Sequence, residues 1–339
     1  MKAYEPFRIK DLELKNRFVM PPMCMYSAPS SIATPFHHLH YGARALGGTG
    51  LVIVEATGVL PEGRISDNCL GLWEDGQIAP MAELVRHVHS FGSKIGIQIN
   101  HAGRKCGASV DAIYAPSAVN YSDDGKYKDP VEMDLGEIAR VTEAFAAAAG
   151  RALEAGFDVL EIHGAHGYLV NQFLSPLSNL RRDGYGVTFE GRSRFLQEVA
   201  RAVRARWPEE KPLFLRVSAE DYVEGGMTPS QMVRIIDRVT KEVDVIHVSS
   251  GGVTPVPPPV HPGYQIPFAE QIKKECGVPT VAVGLITTLE MVEETLCNKR
   301  SDLVSLGREL LRNPFFPLIE ARKRGVELPW PEQYRRAFL

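Results

Sequence analysis

The chain has 339 residues, a formal net charge of −3 and 44% hydrophobic residues. That length can bury a large core, as one barrel with insertions or as two domains. The near-neutral balance argues against nucleic acid as the main partner, no stretch is long and apolar enough to span a bilayer, and the first residues lack the apolar core of a signal peptide. Cys24, Cys69, Cys106, Cys276 and Cys297 are scattered and odd in number. They predict neither a disulfide framework nor a zinc or iron–sulfur motif, and a reducing cytoplasm is their natural setting.

In chain order, Phe7-Arg8-Ile9 and Leu12-Glu13-Leu14 read as a small hairpin. Short β-rich apolar runs follow at 18–20, 51–54, 94–98, 158–162, 213–217, 244–248, 280–283 and 303–306. Near-continuous apolar runs suit parallel strands buried on both faces. Between them, helical patterns fall at 79–91, 135–155, 190–207, 230–243 and 289–297, with Gly156 as a stop for the second. Strand-then-helix units in this number make a single α/β (β/α)₈ TIM barrel over 1–339 the economical reading, with the hairpin capping its bottom. A doubly wound sheet would advertise a Gly-rich turn after its first strand, and Pro21-Pro22-Met23-Cys24 is not one. Two long loops are expected, after the third and sixth strands: 103–133, holding Lys105, Asp111 and Tyr114, and 251–267, with the run Val256-Pro257-Pro258-Pro259. Such loops tend to be lids or binding walls.

In a barrel of this kind the working groups lie at the C-terminal strand ends. Those ends carry Met23 with Cys24, Glu55 with Ala56, then Gln98, His163, Arg216, Ser249, Gly284, and Gly307 with Arg308. The fourth run opens into His163-Gly164-Ala165-His166-Gly167-Tyr168. Two imidazole donors can hold a developing negative oxygen, and a phenol beside them can give up a proton, which suits chemistry next to a carbonyl. A lone histidine at a strand end is more often a satisfied loop residue; the company it keeps decides. Two arginines beside few carboxylates make a metal site electrostatically poor, so no metal is expected. Gln98 can read an amide edge, Arg216 is costly to bury without an anionic partner, and Gly284, Gly307 and Arg308 suit a phosphate. A phosphorylated planar redox cofactor, flavin mononucleotide (FMN), meets all three needs. A barrel lyase would instead place a Schiff-base lysine at a strand end, and none stands there.

These residues resemble the old yellow enzyme family, in its thermophilic-like ene-reductase (NADPH dehydrogenase) branch. The carrying stretches are Leu14-Lys15-Asn16-Arg17, Pro22-Met23-Cys24-Met25-Tyr26, the run 97–105, the segment from His163 to Tyr168 continuing to Phe173-Leu174-Ser175-Pro176, and Gly307-Arg308-Glu309-Leu310-Leu311. The resemblance implies one FMN-binding barrel domain that oxidises NADPH and reduces the C=C bond of small enones, enals or imides in ping-pong order. It implies that Pro21, Pro22, Met23, Cys24, Ala56 and Gln98 lie along the flavin ring and that Arg216 balances its charge. Gly284, Gly307 and Arg308 would hold the phosphate. His163 and His166 would bind the substrate carbonyl, Tyr168 would donate the proton, and Tyr26 and Lys105 would line the substrate side. Arg336 would reach a neighbouring subunit's site in a homodimer or homotetramer. One segment departs from the pattern: where the family carries Tyr-Gly-Gly-Ser, this chain has Tyr185-Gly186-Val187-Thr188.

Overall fold

All eight expected apolar runs form strands, and they pair in chain order until the last meets the first. The computed structural model describes residues 1–122 and 124–338. Its elements run β1 (Phe7–Ile9), β2 (Leu12–Leu14), β3 (Phe18–Met20), α1 (Pro35–Leu46), β4 (Leu51–Gly58), α2 (Ile78–Ser90), β5 (Lys94–Asn100), β6 (Tyr114–Ala115), β7 (Val131–Glu132), α3 (Leu135–Glu154), β8 (Val159–Gly164), α4 (Leu169–Leu174) and α5 (Phe189–Arg204). They continue with β9 (Leu213–Ser218), α6 (Pro229–Asp237), β10 (Val245–Ser249), α7 (Ile266–Cys276), β11 (Thr280–Ala282), α8 (Leu289–Cys297), β12 (Leu303–Ser305), α9 (Gly307–Arg312) and α10 (Phe316–Lys323). Strands β3, β4, β5, β8, β9, β10, β11 and β12 close a parallel barrel, and β1 pairs antiparallel with β2. Among the described residues no helix is long and apolar enough to cross a membrane.

The side-chain period of two along each strand sorts the barrel interior by height. Near the strand starts, Val19, Leu51, Val159, Phe214, Val245, Val281 and Leu303 form one buried apolar cluster with Phe7, Leu12 and Leu14 of the hairpin. The hairpin therefore plugs the bottom, as expected from sequence. One inward step further along, the chemistry changes: Glu161 follows Val159, Arg216 follows Phe214, His247 follows Val245 and Ser305 follows Leu303. The alternate residues, Leu160, Ile162, Leu215, Val217, Ile246 and Val248 among them, pack outward into the main core with the helices. Each strand is buried on both faces, so its outer face needs apolar residues throughout while its inner face is free to turn polar at the top.

Local chemistry explains the helix boundaries. Asp134 caps α3 by accepting from the Glu137 amide, Thr188 caps α5 through the Gly191 amide, and Thr228 with Gln231 forms a capping box at α6. Helix α6 ends at Asp237 rather than at 243, because Val239 and Thr240 are β-branched and the Thr240 hydroxyl donates to the Asp237 carbonyl at 3.2 Å. Likewise α5 stops at Arg204 rather than 207, where the ladder tightens to an i−3 bond from the Arg206 amide to the Val203 carbonyl at 3.0 Å and Pro208 follows. Helices α1 and α7 are not evident from the sequence pattern. The inner face of α1 is built with His37, His40 and Arg44, which mask its apolar stripe, and α7 starts inside the proline-rich loop. Strand β4 runs past 54 to Gly58 through a register shift between Val54 and Thr57, which places Glu55 and Ala56 in the irregular stretch. The loop 103–133 also holds a one-turn 3₁₀ segment, Gly103–Lys105, and the small parallel pair β6–β7.

The departure at 185–188 has a backbone consequence. Gly186 has no room for a side chain, since a Cβ there would lie 2.2 Å from the Arg181 carbonyl oxygen. Val187 follows with φ 56° and stands 67% exposed. A β-branched residue in the left-handed region is strained by about 1–2 kcal/mol. Val187→Gly removes that strain at the expense of unfolded-chain entropy and is expected to stabilise the chain by roughly 0.5–1 kcal/mol. A denaturation midpoint at or below that of the unaltered protein would contradict this account of the loop.

Candidate active site

Strand β8 delivers the first pair of functional side chains. Gly164 closes it where a Cβ would meet the Arg216 carbonyl at 2.9 Å. The chain then turns sharply, with His166 at φ 58° and Gly167 at φ 71° packed against Gly252. His166 is held in that costly conformation from three sides. Its amide donates to Ser218 Oγ at 2.9 Å, its carbonyl accepts from Lys105 Nζ at 2.9 Å, and its ring Nε2 meets Ser249 Oγ at 2.8 Å. His163 Nδ1 accepts from the Ala165 amide at 3.2 Å, so its proton sits on Nε2. The two imidazoles stand edge to face with centroids 5.2 Å apart, and the Tyr168 ring packs 4.9 Å from His163.

Burial, with the Arg216 and Lys105 charges nearby, holds both imidazoles far below the usual histidine range. They are neutral donors at physiological pH. Burial also drives the Tyr168 phenol upward, with the neighbouring Cys24 and Tyr26 adding to the shift, so it keeps its proton. Lys105 is pushed down to about 8 by burial, then by Arg104 and Lys126. Its ammonium clasps the His166 and Gly252 carbonyls and sits over the Tyr121 and Tyr168 rings at 4.3 and 5.2 Å. Lys105 thus works as a brace as well as a wall.

Arg216 occupies the next place around the barrel. Register sets it between His163 on β8 and His247 on β10. It is buried, donates from Nη1 to the Pro22 carbonyl at 3.3 Å, and leaves Nε with no partner among the described residues. No carboxylate ion-pairs with it among those residues; Glu161 acts on it only through its field. Beside it opens a cavity of about 210 Å³ lined by Arg216, Ser249, Gly284, Ser305, Gly307 and Arg308, with Pro21 to Met23 on one wall. Gly284 has φ 123°, a conformation that side chains rarely adopt, and Gly307 opens α9. An orphaned buried guanidinium, a second arginine and two glycines around one cavity are a donor set for an anion.

The third wall comes from β3 and β4. Glu55 Oε2 accepts from the Met25 amide at 2.8 Å and Oε1 from the Tyr41 hydroxyl at 3.3 Å, which shapes the loop bearing Cys24 and Tyr26. Burial, then Cys69 and Glu55, push the Cys24 thiol far up, and it contacts the Ala56 backbone and Tyr26. Gln98 Nε2 donates to Glu161 Oε1 at 2.7 Å. The five cysteines are all free.

The structure thus gathers Pro21 to Cys24, Tyr26, Ala56, Gln98, Lys105, His163, His166, Tyr168, Arg216, Gly284, Gly307 and Arg308 around one barrel mouth. It does not bring Arg336 there; that side chain stands exposed in the 3₁₀ segment Glu332–Phe338. Sequence reasoning passed over Ser218, Ser305, Tyr264 and Gln265. Ser218 and Ser305 lie two residues beyond Arg216 and Leu303, so extending the inward period would have found them. Tyr264 and Gln265 follow the proline run and carry no periodic signal.

A model of the NADH:flavin oxidoreductase / NADH oxidase family matches residues 2–325. The chain belongs to this family, the old yellow enzymes. It is 54% identical over its full length to a curated NADPH dehydrogenase of Clostridium acetobutylicum, all of which it covers. Morphinone reductase in complex with tetrahydroNAD superimposes with a TM-score of 0.81 at 27% identity, over 98% of this chain and 93% of that one. A 2-naphthoyl-CoA reductase shares the fold with a TM-score of 0.88 at 22% identity, over 96% of this chain and 52% of that one. The old yellow enzyme described here is an oxidoreductase.

Lys105 gives this geometry a pH signature. Its folded pKa of about 8 lies below its ordinary 10.5. Between those values the folded chain binds fewer protons than the unfolded one, so this group's contribution to stability rises with pH across that window. The stability of the unaltered protein relative to Lys105→Met is therefore expected to increase from pH 8 to 10.5. Denaturation at several pH values checks this, and a flat or falling difference would contradict the buried placement of the ammonium.

Proposed function

We propose that residues 1–339 form one FMN-binding barrel domain that oxidises NADPH and reduces the C=C bond of α,β-unsaturated ketones, aldehydes or imides. One observation carries the reading: two neutral imidazoles and a protonated phenol converge beside a buried guanidinium that has no ion-pair partner among the described residues. The residues fit FMN. Arg308, Gly307 and Gly284 would hold the phosphate in the cavity they line, Arg216 would balance the ring's charge, and Pro21, Pro22, Met23, Cys24, Ala56 and Gln98 would lie along it. When bound, FMN would supply the two-electron redox chemistry that links NADPH oxidation to reduction of the substrate C=C bond. The 54% identical NADPH dehydrogenase supports NADPH as the electron source.

The chain's own residues do the rest. His163 Nε2–H and the His166 ring donate to the substrate carbonyl oxygen, and being neutral they polarise it without protonating it. As charge develops on that oxygen, two fixed donors stabilise it more than they stabilise the starting carbonyl. Tyr168 keeps its proton at working pH and gives it to the α-carbon. Burial of Cys24 as a neutral thiol keeps a negative charge away from the ring. Tyr26, half exposed, and Lys105 line the substrate side. Arg336 is exposed and free to complete a neighbouring subunit's site in a homodimer or homotetramer.

Half-reactions test the assignment. With Tyr168→Phe, anaerobic bleaching of the yellow protein by NADPH should stay within about twofold of the unaltered rate. Reoxidation by an enone should slow by about 10²–10⁴-fold, the usual worth of a general acid. Equal loss in both half-reactions would remove Tyr168 from the proton-donor role, and a colourless protein that takes up no FMN would overturn the reading itself.

A further inference from the structure

Glu161 is a carboxylate enclosed in the barrel directly beneath the site, and no step above uses it. It lies one inward step below His163 on β8 and is fully sealed from solvent. Sealing an ionised carboxylate requires donors at both oxygens. Gln98 Nε2 donates to Oε1 at 2.7 Å and His247 Nδ1 to Oε2 at 2.8 Å, while His247 Nε2 meets Ser305 Oγ at 3.1 Å. With both carboxylate oxygens accepting and burial holding the His247 imidazole neutral, the hydrogens of this chain run one way. His247 carries its proton on Nδ1, Ser305 donates to Nε2, and Gln98 spends an amide N–H on Glu161.

Two consequences follow for the layer above. The Gln98 amide is fixed in one of its two flips, which leaves its carbonyl Oε1 as the end turned away from Glu161. Arg216, set by register between His163 and His247, has Glu161 as the negative charge that acts on it most strongly. We propose that Glu161 is a positioning residue that locks the Gln98 amide with its carbonyl toward the flavin ring and, by its own charge below Arg216, limits how strongly the site favours the reduced, anionic ring. This rests on the FMN reading given above. Neither Glu161 nor His247 touches substrate in this assignment; they act through Gln98 and Arg216.

Glu161→Gln keeps the size and removes the charge. It also offers one acceptor oxygen to two converging donors, so either Gln98 must flip or His247 must move its proton to Nε2. The readout is the flavin midpoint potential against a reference dye, with the ¹⁵N spectrum of His247 beside it. In Glu161→Gln the potential is expected to move in the positive direction, changing the ratio of oxidised to reduced flavin at fixed poise by about tenfold, the size expected for a unit charge removed at low effective dielectric. Glu161→Asp, which retains the charge, should leave the potential close to that of the unaltered protein. A folded, FMN-loaded Glu161→Gln protein with an unchanged potential overturns the proposal while leaving the functional reading intact. An unaltered protein that binds no FMN overturns the reading first. Should Glu161→Gln fail to fold, the unaltered protein decides: His247 protonated on Nδ1 supports the network, and protonation on Nε2 overturns it.

Discussion

Arg216 is a guanidinium carried into the barrel by β9 and met there, among the described residues, by a single carbonyl, that of Pro22. A buried charge left so nearly alone is costly, and the cost is several kcal/mol unless something negative completes it. Around it, among the described residues, stand the neutral donors His163, His166 and Gln98, the glycines, a second cation in Arg308, and no ion-paired acid. The same charge helps keep the imidazoles neutral, which makes them hydrogen-bond donors to an oxygen and not acids toward it. Glu161 sits low enough to temper this field without quenching it.

That arrangement depends on how a strand alternates. The inward positions step from valine, leucine and phenylalanine at the hairpin-plugged bottom to glutamate, arginine and histidine at the top. Apolar packing below supplies rigidity, and the polar layer above inherits its placement from that packing. The short turn after β8 then spends backbone strain at His166 to aim its ring, and Ser218, Ser249 and Lys105 hold it there. The brace from Lys105 ties the loop after β5 to the loops after β8 and β10, so three connections share one ammonium.

The barrel was legible because its signal is repeated: eight apolar runs, most followed by a capped amphipathic helix, leave little else to build. The plug was legible from two short alternating runs before the first strand. Helices with polar residues on their inner face, as in α1, were not, because burial of His37 and His40 depends on partners that periodicity cannot see. The residues that gather at the barrel mouth were legible at the strand ends, where position alone assigns direction. Its supporting network was not. Glu161 and His247 looked like ordinary members of apolar runs, and their pairing at 2.8 Å joins strands 86 residues apart through the hollow of the barrel. Arg336 was readable only by resemblance, and a single chain leaves it in solvent.

The central claim is that the barrel mouth is built for a planar ligand carrying a phosphate. Titrating the cofactor-free protein with FMN and with riboflavin, and following the quenching of flavin fluorescence, tests it directly. FMN should bind at micromolar concentration or below, and riboflavin, lacking the phosphate that Arg308 and the glycines receive, should bind on the order of 10²-fold more weakly. Equal affinities for the two, or no quenching by either, would contradict the account.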